Sequence, residues 1–159
     1  MDMLVPLYRL GAGDDYLRRV STQGVTIRRA LAHERDAVVE WVRSNFDGGW
    51  AAECAVTFAS MPTTCHIAVH DGDLLGFSCH DVTARGLFGP TGTAVDSRGK
   101  GIGAALLVAS LNAMRESGYA YAVIGGTDEG LAGFYRKVAG ATPIAGSEPG
   151  VYGAPISRR

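Results

Sequence analysis

Apolar and polar residues follow two periods along the chain, one typical of strands and the other typical of helices. Residues 25–29 alternate branched apolar with polar side chains, as a half-buried strand does. Residues 32–46 instead repeat apolar positions at helical spacing, and this run ends at the glycine turn 47–49. Two strands and a second helix follow the same patterns, so the first half predicts elements at residues 25–29, 32–46, 50–61, 65–69 and 74–79.

The second half of the chain predicts a strand, a long helix and another strand in direct succession. The first of these strands, residues 86–93, is rich in glycine, and its weak β preference indicates that something approaches its backbone closely. A strand–helix–strand unit implies a parallel pair of strands with a right-handed crossover. A second helix and a closing pair of strands follow, so the later elements lie at residues 86–93, 101–117, 119–124, 129–138, 142–144 and 151–154. The whole order predicts a mixed α/β sheet.

Residues 1–23 show neither period clearly, because apolar residues there mix with glycines and paired charges. We expect them to form an N-terminal extension that packs on the edge of a single domain formed by residues 24–159. A chain of 159 residues is long enough for one such domain with a sizeable core.

The composition narrows the classes of function. Hydrophobic residues make up 47% and charged residues 19% of the chain, which is typical of a soluble globular protein. The net charge of −1 excludes a general attraction to nucleic acid or to anionic membranes. No apolar run is long enough to span a bilayer and the first residues do not resemble a signal peptide, so we expect a cytoplasmic protein. The three cysteines lack metal or redox spacing, so we expect no metal.

A basic, glycine-rich turn joins the glycine-rich strand to the long helix. Its alternating glycines remove side-chain bulk, so several backbone N–H groups can converge on one anion. The helix that follows contributes the positive end of its dipole, and Arg98 and Lys100 add mobile positive charge. The turn therefore predicts a pyrophosphate-binding cradle. This cradle, residues 98–104, consists of Arg98, Gly99, Lys100, Gly101, Ile102, Gly103 and Ala104.

The spacing Gly99-x-Gly101-x-x-Ala104 also matches a dinucleotide-binding fingerprint. That fingerprint normally follows the first strand of a doubly wound domain, and an acidic residue at the end of the next strand completes it. Here the glycines fall late in the chain, and the next predicted strand ends in two glycines. The dinucleotide interpretation is therefore rejected.

Two segments resemble one enzyme family. RGKGIG at residues 98–103 resembles the Arg/Gln-x-x-Gly-x-Gly/Ala motif with which the GNAT acetyltransferases hold the pyrophosphate of acetyl-CoA. GLAGFYRK at residues 130–137 resembles a later helix of the same family, in the same order and at about its spacing. The resemblance covers residues 24–152 and implies a GNAT fold, with a central mixed sheet of six to seven strands flanked by about four helices. It also implies an acetyl-CoA-dependent N-acetyltransferase, in which a primary amine attacks the thioester directly.

The resemblance also assigns roles to individual residues. Tyr135 would donate a proton to the departing thiolate of CoA, or hold it by a hydrogen bond. Asp128 stands where many family members carry an asparagine that contacts the pantetheine arm, and a helix N-cap explains this residue equally well. A backbone N–H at the end of the glycine-rich strand would stabilise an oxyanion. The implied cofactor-binding residues are Thr93, Ala94, Val95, Arg98, Gly99, Lys100, Gly101, Ile102, Gly103, Ala104 and Asp128.

The general base and the acceptor stay open. Glu53, His80 and Asp81 are candidate bases, and Trp50 and Phe46 line either an acceptor pocket or the core. We expect a small-molecule or peptide amine as acceptor and no nucleic acid or membrane partner, and a homodimer is compatible with the sequence. The alternative function is a catalytically weak acyl-CoA-binding sensor or interaction module.

Overall fold

The computed structural model describes residues 1–153 and residue 156 of the chain. Its helices and strands follow the predicted order from residue 24 to β7, and two further elements precede them. In chain order they are β1 (Met3–Pro6), α1 (Asp14–Ser21), β2 (Thr26–Arg29), α2 (Arg35–Asn45), α3 (Gly48–Val56), β3 (Cys65–His70), β4 (Asp73–His80), β5 (Leu87–Thr93), α4 (Ile102–Glu116), β6 (Tyr121–Ile124), α5 (Glu129–Ala139) and β7 (Thr142–Pro143).

The seven strands belong to one mixed sheet with the order β2-β3-β4-β5-β6-β1-β7. The strands from β2 to β5 are antiparallel neighbours in chain order. β5 and β6 are parallel, and α4 connects them. The parallel pair with its helical crossover confirms that prediction, and the sheet as a whole confirms the predicted mixed α/β class.

Residues 1–23 supply a strand and a helix to this architecture. β1 lies between β6 and β7 and is antiparallel to both, and its Met3 and Val5 are fully buried. α1 packs on α4, and a side chain at Gly13 would collide with Val108. The sequence did not predict β1, because four residues that end in proline give too short an alternation to stand out.

The predicted closing strand over residues 151–154 is wrong as far as the structure describes it. Residues 151–153 form a turn and a bend, and residue 154 lies outside the described residues. The other strand of the predicted pair is present as β7, but it pairs with β1. β1 therefore occupies the place beside β7 that the prediction gave to the C-terminal residues.

The core is organised by α4, which is buried along almost its whole length. Its buried residues are Ile102, Ala104, Ala105, Leu106, Leu107, Val108, Ser110, Leu111, Ala113 and Met114. Because side chains alternate across a strand, the other face of the sheet carries a separate apolar cluster, which α2 and α3 cover. Among the described residues, no helix combines the length and the apolar character needed to cross a membrane.

Candidate active site

The sheet opens between β5 and β6, and this gap is where the site lies. The two strands pair at only two positions, Leu87 with Val123 and Phe88 with Ile124. β5 then continues to Thr93, and no strand of the described chain pairs with that edge of it. Backbone groups along this part of β5 are therefore available to a ligand, as the glycine-rich sequence predicts.

A cavity of about 510 Å³ opens at the gap. Six parts of the chain line it: α3, β5, the end of β6, the turn after β6, α5 and the C-terminal turn. The lining residues are Gly49, Trp50, Glu53, Phe88, Gly89, Pro90, Thr91, Ile124, Gly125, Gly126, Thr127, Leu131, Tyr135 and Tyr152. A concave site of this size suits part of a cofactor together with a small acceptor.

The cradle follows directly from the end of β5. Gly99 and Gly101 have φ values of +77° and +88°, a left-handed conformation that glycine adopts without steric cost. α4 begins at Ile102, and its N-cap Gly101 makes no side-chain capping hydrogen bond. The N–H groups of the first helical turn therefore point out of the helix end, where the dipole is positive. The structure thus brings the predicted cradle residues together at one helix start.

The cradle has a basic contribution that the sequence did not predict. The guanidinium group of Arg19, on α1, lies about 3.3–3.7 Å from the position that a Cβ on Gly101 would occupy. Gln23 donates a hydrogen bond to the Lys100 carbonyl at 3.0 Å, which fixes the end of α1 against the cradle. No local signal links Arg19 to the cradle, because the two lie far apart in the sequence.

Tyr135 lies on the wall of the cavity, on α5. Its ring contacts Phe88 and Phe134, with ring centroids 6.5 and 5.1 Å away, and only 7% of the residue is exposed. Burial, and to a smaller extent the nearby Asp128 carboxylate, raises the pKa of the phenol to about 12. Tyr135 therefore keeps its proton at neutral pH and can act as a proton donor.

α5 also contacts the cradle, so the helix that carries Tyr135 lies beside the phosphate-binding turn. A Cβ on Gly103 would lie 3.7 Å from the Thr93 hydroxyl and 3.9 Å from the ring of Phe134. The end of β5, the first turn of α4 and α5 meet at this point. The two segments that resemble the GNAT motifs, the cradle and the helix that carries Tyr135, are thus neighbours in space.

In two of the predicted cofactor-binding residues, Asp128 and Ala94, the group expected to contact a ligand is already hydrogen-bonded within the protein. The Asp128 carboxylate accepts a hydrogen bond from the Leu131 N–H at 2.8 Å and so caps α5. The Ala94 N–H donates to the Leu75 carbonyl at 2.9 Å, which removes this N–H as an oxyanion donor. Contact of Asp128 with a cofactor stays a prediction.

The cavity distinguishes among the three candidate bases. Glu53 lines the cavity, whereas His80 and Asp81 do not. His80 is 1% exposed, and burial lowers its pKa to about 4. Asp81 accepts a hydrogen bond from the Gly86 N–H at 2.7 Å and so stabilises the turn before β5. Glu53 is therefore the base candidate that can meet a bound amine.

The Glu53 carboxylate is held in place by two hydroxyl groups. Thr83 donates a hydrogen bond to Oε1 at 2.6 Å, and the Tyr152 phenol donates to the same oxygen at 3.4 Å. Tyr152 is a site residue that the sequence did not predict. Its ring lies against Gly125 and Gly126, where a Cβ would come within 3.3 Å of it. The two glycines after β6 were the available signal, because they leave room for a neighbouring ring.

The two aromatic candidates for the acceptor pocket, Trp50 and Phe46, differ in whether they line the cavity. Trp50 lines the cavity, five residues after the end of α2. Phe46 covers β5 from the α2 side, where a Cβ on Gly92 would lie only 2.3 Å from its ring. Both side chains pack on the same apolar cluster, with ring centroids 5.2 Å apart, and Trp50 also supplies an aromatic wall to the cavity.

The model of the acetyltransferase (GNAT) family matches residues 35–141, which include α2, the cradle and Tyr135. The chain belongs to the GNAT acetyltransferase family. The match begins after β2, so β1 and α1 lie outside it. No curated protein sequence matches the chain significantly.

Solved structures with the GNAT fold resemble the chain at low sequence identity. The GCN5-related glucosamine N-acetyltransferase region of a fungal multi-domain β-N-acetylglucosaminidase has a TM-score of 0.71 and 14% identity, over 87% of this chain and 19% of that one. A GCN5-related N-acetyltransferase from Sphaerobacter thermophilus has a TM-score of 0.69 and 20% identity, over 89% of this chain and 47% of that one. The chain spans less than half the length of either protein, and both likenesses concern the fold alone.

Proposed function

We propose that this GNAT protein transfers the acetyl group of acetyl-CoA to a primary amine by direct attack on the thioester. The observation that carries the proposal is the position of Tyr135, a protonated phenol on the wall of a cavity that opens beside the cradle. A leaving thiolate needs a proton, and a buried phenol that keeps its proton at neutral pH can supply it.

The cofactor side of the cavity supports acetyl-CoA as the donor. Arg19, Arg98 and Lys100 surround the start of α4 with positive charge, and the helix end offers N–H groups to a pyrophosphate. The unpaired edge of β5 leads from this cradle toward Tyr135 and can hydrogen-bond an extended amide-containing arm. The residues present therefore fit the pyrophosphate and the amide-containing arm of acetyl-CoA.

The other side of the cavity supports an amine acceptor. The Glu53 carboxylate attracts an ammonium group, and its two hydroxyl donors engage a single oxygen, Oε1. In the proposed step, Glu53 takes one proton from the ammonium and the amine nitrogen bonds to the acetyl carbon. The carbon–sulfur bond breaks, and Tyr135 gives its proton to the sulfur. The second nitrogen proton, lost as the amide forms, returns through water to the Tyr135 phenolate, and Glu53 releases its proton to solvent. Trp50 and Tyr152 enclose the apolar part of the acceptor.

The proposal is tested by the substitution Tyr135→Phe, with Tyr121→Phe as the matched control because Tyr121 is 48% exposed and lies outside the cavity. Release of free CoA from acetyl-CoA is measured with a panel of primary amines that includes glucosamine. We expect Tyr135→Phe to lower turnover about 100-fold, a usual contribution of general acid catalysis. Affinity for CoA, measured by calorimetry, should stay within about twofold of the wild type. Equal turnover across the pH profile would remove Tyr135 from the mechanism.

The donor is tested separately by thermal unfolding with acetyl-CoA, CoA and NADH. A ligand at about a hundred times its Kd adds roughly 2.7 kcal/mol to the free energy of unfolding. We expect acetyl-CoA and CoA to raise the melting temperature and NADH to leave it unchanged. Stabilisation by NADH alone would contradict the proposal.

A catalytically weak acyl-CoA-binding sensor is the second candidate function. The engaged Ala94 N–H favours it, because one potential oxyanion donor is lost to Leu75. Such a sensor would bind CoA and acetyl-CoA but release no free CoA with any amine. Release that requires both an amine and Tyr135 would contradict the sensor.

A further inference from the structure

The three cysteines of the chain meet in the core. Cys54 lies on α3, Cys65 on β3 and Cys79 on β4, and all three are fully buried. Cys65 and Cys79 are directly opposite each other on neighbouring strands. The three sulfur atoms lie within 4.8 Å of one another. Folding thus assembles a cluster of thiols that the spacing in the sequence did not predict.

The separation of the sulfurs is close to what one shared ion requires. With metal–sulfur bonds of about 2.3 Å, three sulfurs around a single ion lie at most roughly 4.0 Å apart. Small side-chain rotations would therefore bring the three sulfurs into range.

The surroundings of the cluster select the kind of ion. The cluster sits among apolar side chains of α2, α3, β3 and β4. Within the described chain, no fourth histidine, cysteine or carboxylate completes the set, as a structural zinc site would need. Three thiolates leave a net negative charge on a monovalent or divalent ion, which is costly in an apolar core, whereas they neutralise a trivalent one.

We propose that Cys54, Cys65 and Cys79 form a three-thiol binding site for a trivalent, thiophilic metalloid ion, for which arsenic(III) is the probe. Arsenous acid reacts with the three thiols: three arsenic–oxygen bonds break, three arsenic–sulfur bonds form, and each thiol proton leaves with a hydroxide as water. Arsenic stays trivalent, so the reaction needs no oxidant or reductant. The product is neutral and contains soft sulfur ligands only.

The proposal is tested on the full chain with arsenous acid, in the presence of a phosphine reductant that keeps disulfides open. After denaturation and alkylation, the expected intact mass shows one arsenic atom and no alkylated cysteine, because all three thiols are engaged. Untreated protein should show three alkylated cysteines, since the chain has three. A treated protein with one or more alkylated cysteines would overturn the three-thiol site.

The sign of the thermal shift separates a site in the folded protein from capture by the unfolded chain. A ligand that binds the folded state raises the melting temperature, whereas one that binds the unfolded chain lowers it. We expect arsenous acid to raise it by several degrees in the wild type, without the need for any variant. An unchanged or lowered melting temperature would overturn the proposal.

The variants Cys79→Ala and Cys54→Ala test the need for all three sulfurs. Each should weaken arsenic binding at least tenfold and abolish the rise in melting temperature. The control is Ser60→Ala, an exposed hydroxyl at the end of the same α3 region, which should leave binding unchanged. Binding retained at wild-type strength by either cysteine variant would overturn the proposal, and the wild-type thermal shift decides the matter if a variant fails to fold.

Discussion

The two sides of the proposed site are built from different parts of the protein. The cofactor side comes mainly from one continuous stretch, residues 93–104, with Arg19 of α1 beside it, and presents mainly backbone groups and a helix end. The acceptor side comes from α3, the turn after β6 and the C-terminal turn, and presents side chains, above all Glu53 and Tyr152. The cofactor side should therefore be sensitive to changes in backbone conformation, and the acceptor side to the loss of single side chains.

The largest effect is expected on the acceptor side, from Glu53→Gln. The amide keeps the shape of the side chain but cannot take a proton, so turnover should fall about 100-fold at neutral pH. Affinity for CoA, measured by calorimetry, should stay unchanged because Glu53 lies away from the cradle. The matched control is Glu40→Gln on the exposed face of α2. A loss of CoA affinity in Glu53→Gln would show that the two sides are not separate.

The second prediction concerns how stability depends on pH, through His80 and through His66, which contacts α4, the helix that begins at the cradle. The hydroxyl of Ser110, on α4, is 3.2 Å from His66 Nδ1, and His66 stacks on His80 with ring centroids 6.0 Å apart. Burial lowers the pKa of His66 to about 3 and that of His80 to about 4. The unfolded chain binds these protons near pH 6.5, so stability is lost as the pH falls from there toward the folded pKa values.

The expected loss is on the order of 2 kcal/mol for each histidine between pH 6.5 and pH 5. Urea unfolding at the two pH values measures it. The variant His80→Leu should show a smaller loss than the wild type, because one titrating group is gone. His33→Asn, at an exposed position, serves as the control and should keep the wild-type dependence. An equal pH dependence in His80→Leu and the wild type would contradict this prediction.

The third prediction changes the backbone of the cradle. Gly101→Ala places a Cβ at a φ of +88°, which costs an L-residue about 1–2 kcal/mol. If the cradle relaxes to avoid this strain, CoA affinity should fall about tenfold, since 1.4 kcal/mol corresponds to a factor of ten. Turnover at saturating acetyl-CoA should be nearly unchanged.

The control for that change is Gly11→Ala, where a Cβ would contact no atom within 4 Å. Calorimetric titration with CoA measures both variants. Wild-type affinity in Gly101→Ala would show that the cofactor side does not depend on its backbone conformation.

The smallest effect is expected from Arg19→Ala, which removes one exposed charge beside the cradle. A solvent-exposed ionic contact contributes up to about 1 kcal/mol, so CoA affinity should fall no more than about fivefold, and less at high salt. Arg18→Ala is the matched control, because Arg18 pairs with Asp15 on the same helix at 3.2 Å. Equal affinities in the two variants would remove Arg19 from the cofactor side.

The same contrast explains what could be predicted from the sequence. The cradle is formed by residues that are adjacent in the sequence, so its glycines, Arg98 and Lys100 predict it. Tyr152 and Arg19 reach the site from distant segments, and only the packing of α1 and of the C-terminal turn brings them there. The three cysteines show the same limit, since their contact depends on strand register and on the position of α3.

The fold, too, could be predicted only in part from the sequence. From β2 to β7 the hydrophobic periods follow the sheet and the helices that cover it, because each element carries its own pattern. β1 is only four residues long and ends in Pro6, so its pattern is too short to read. The position of β1 in the sheet depends on its pairing with β6 and β7, and no local sequence signal predicts that pairing.

The position of β1 in the sheet has a consequence for folding during synthesis. Met3 pairs with Ile124, so the strand leaves the ribosome long before either neighbour exists. At about 5–20 residues per second, the wait is on the order of ten seconds. During that time the apolar side chains of β1 have no sheet to enter. β1 is therefore translated before both of its neighbours, and it can take its place in the sheet only after β6 and β7 have been synthesised.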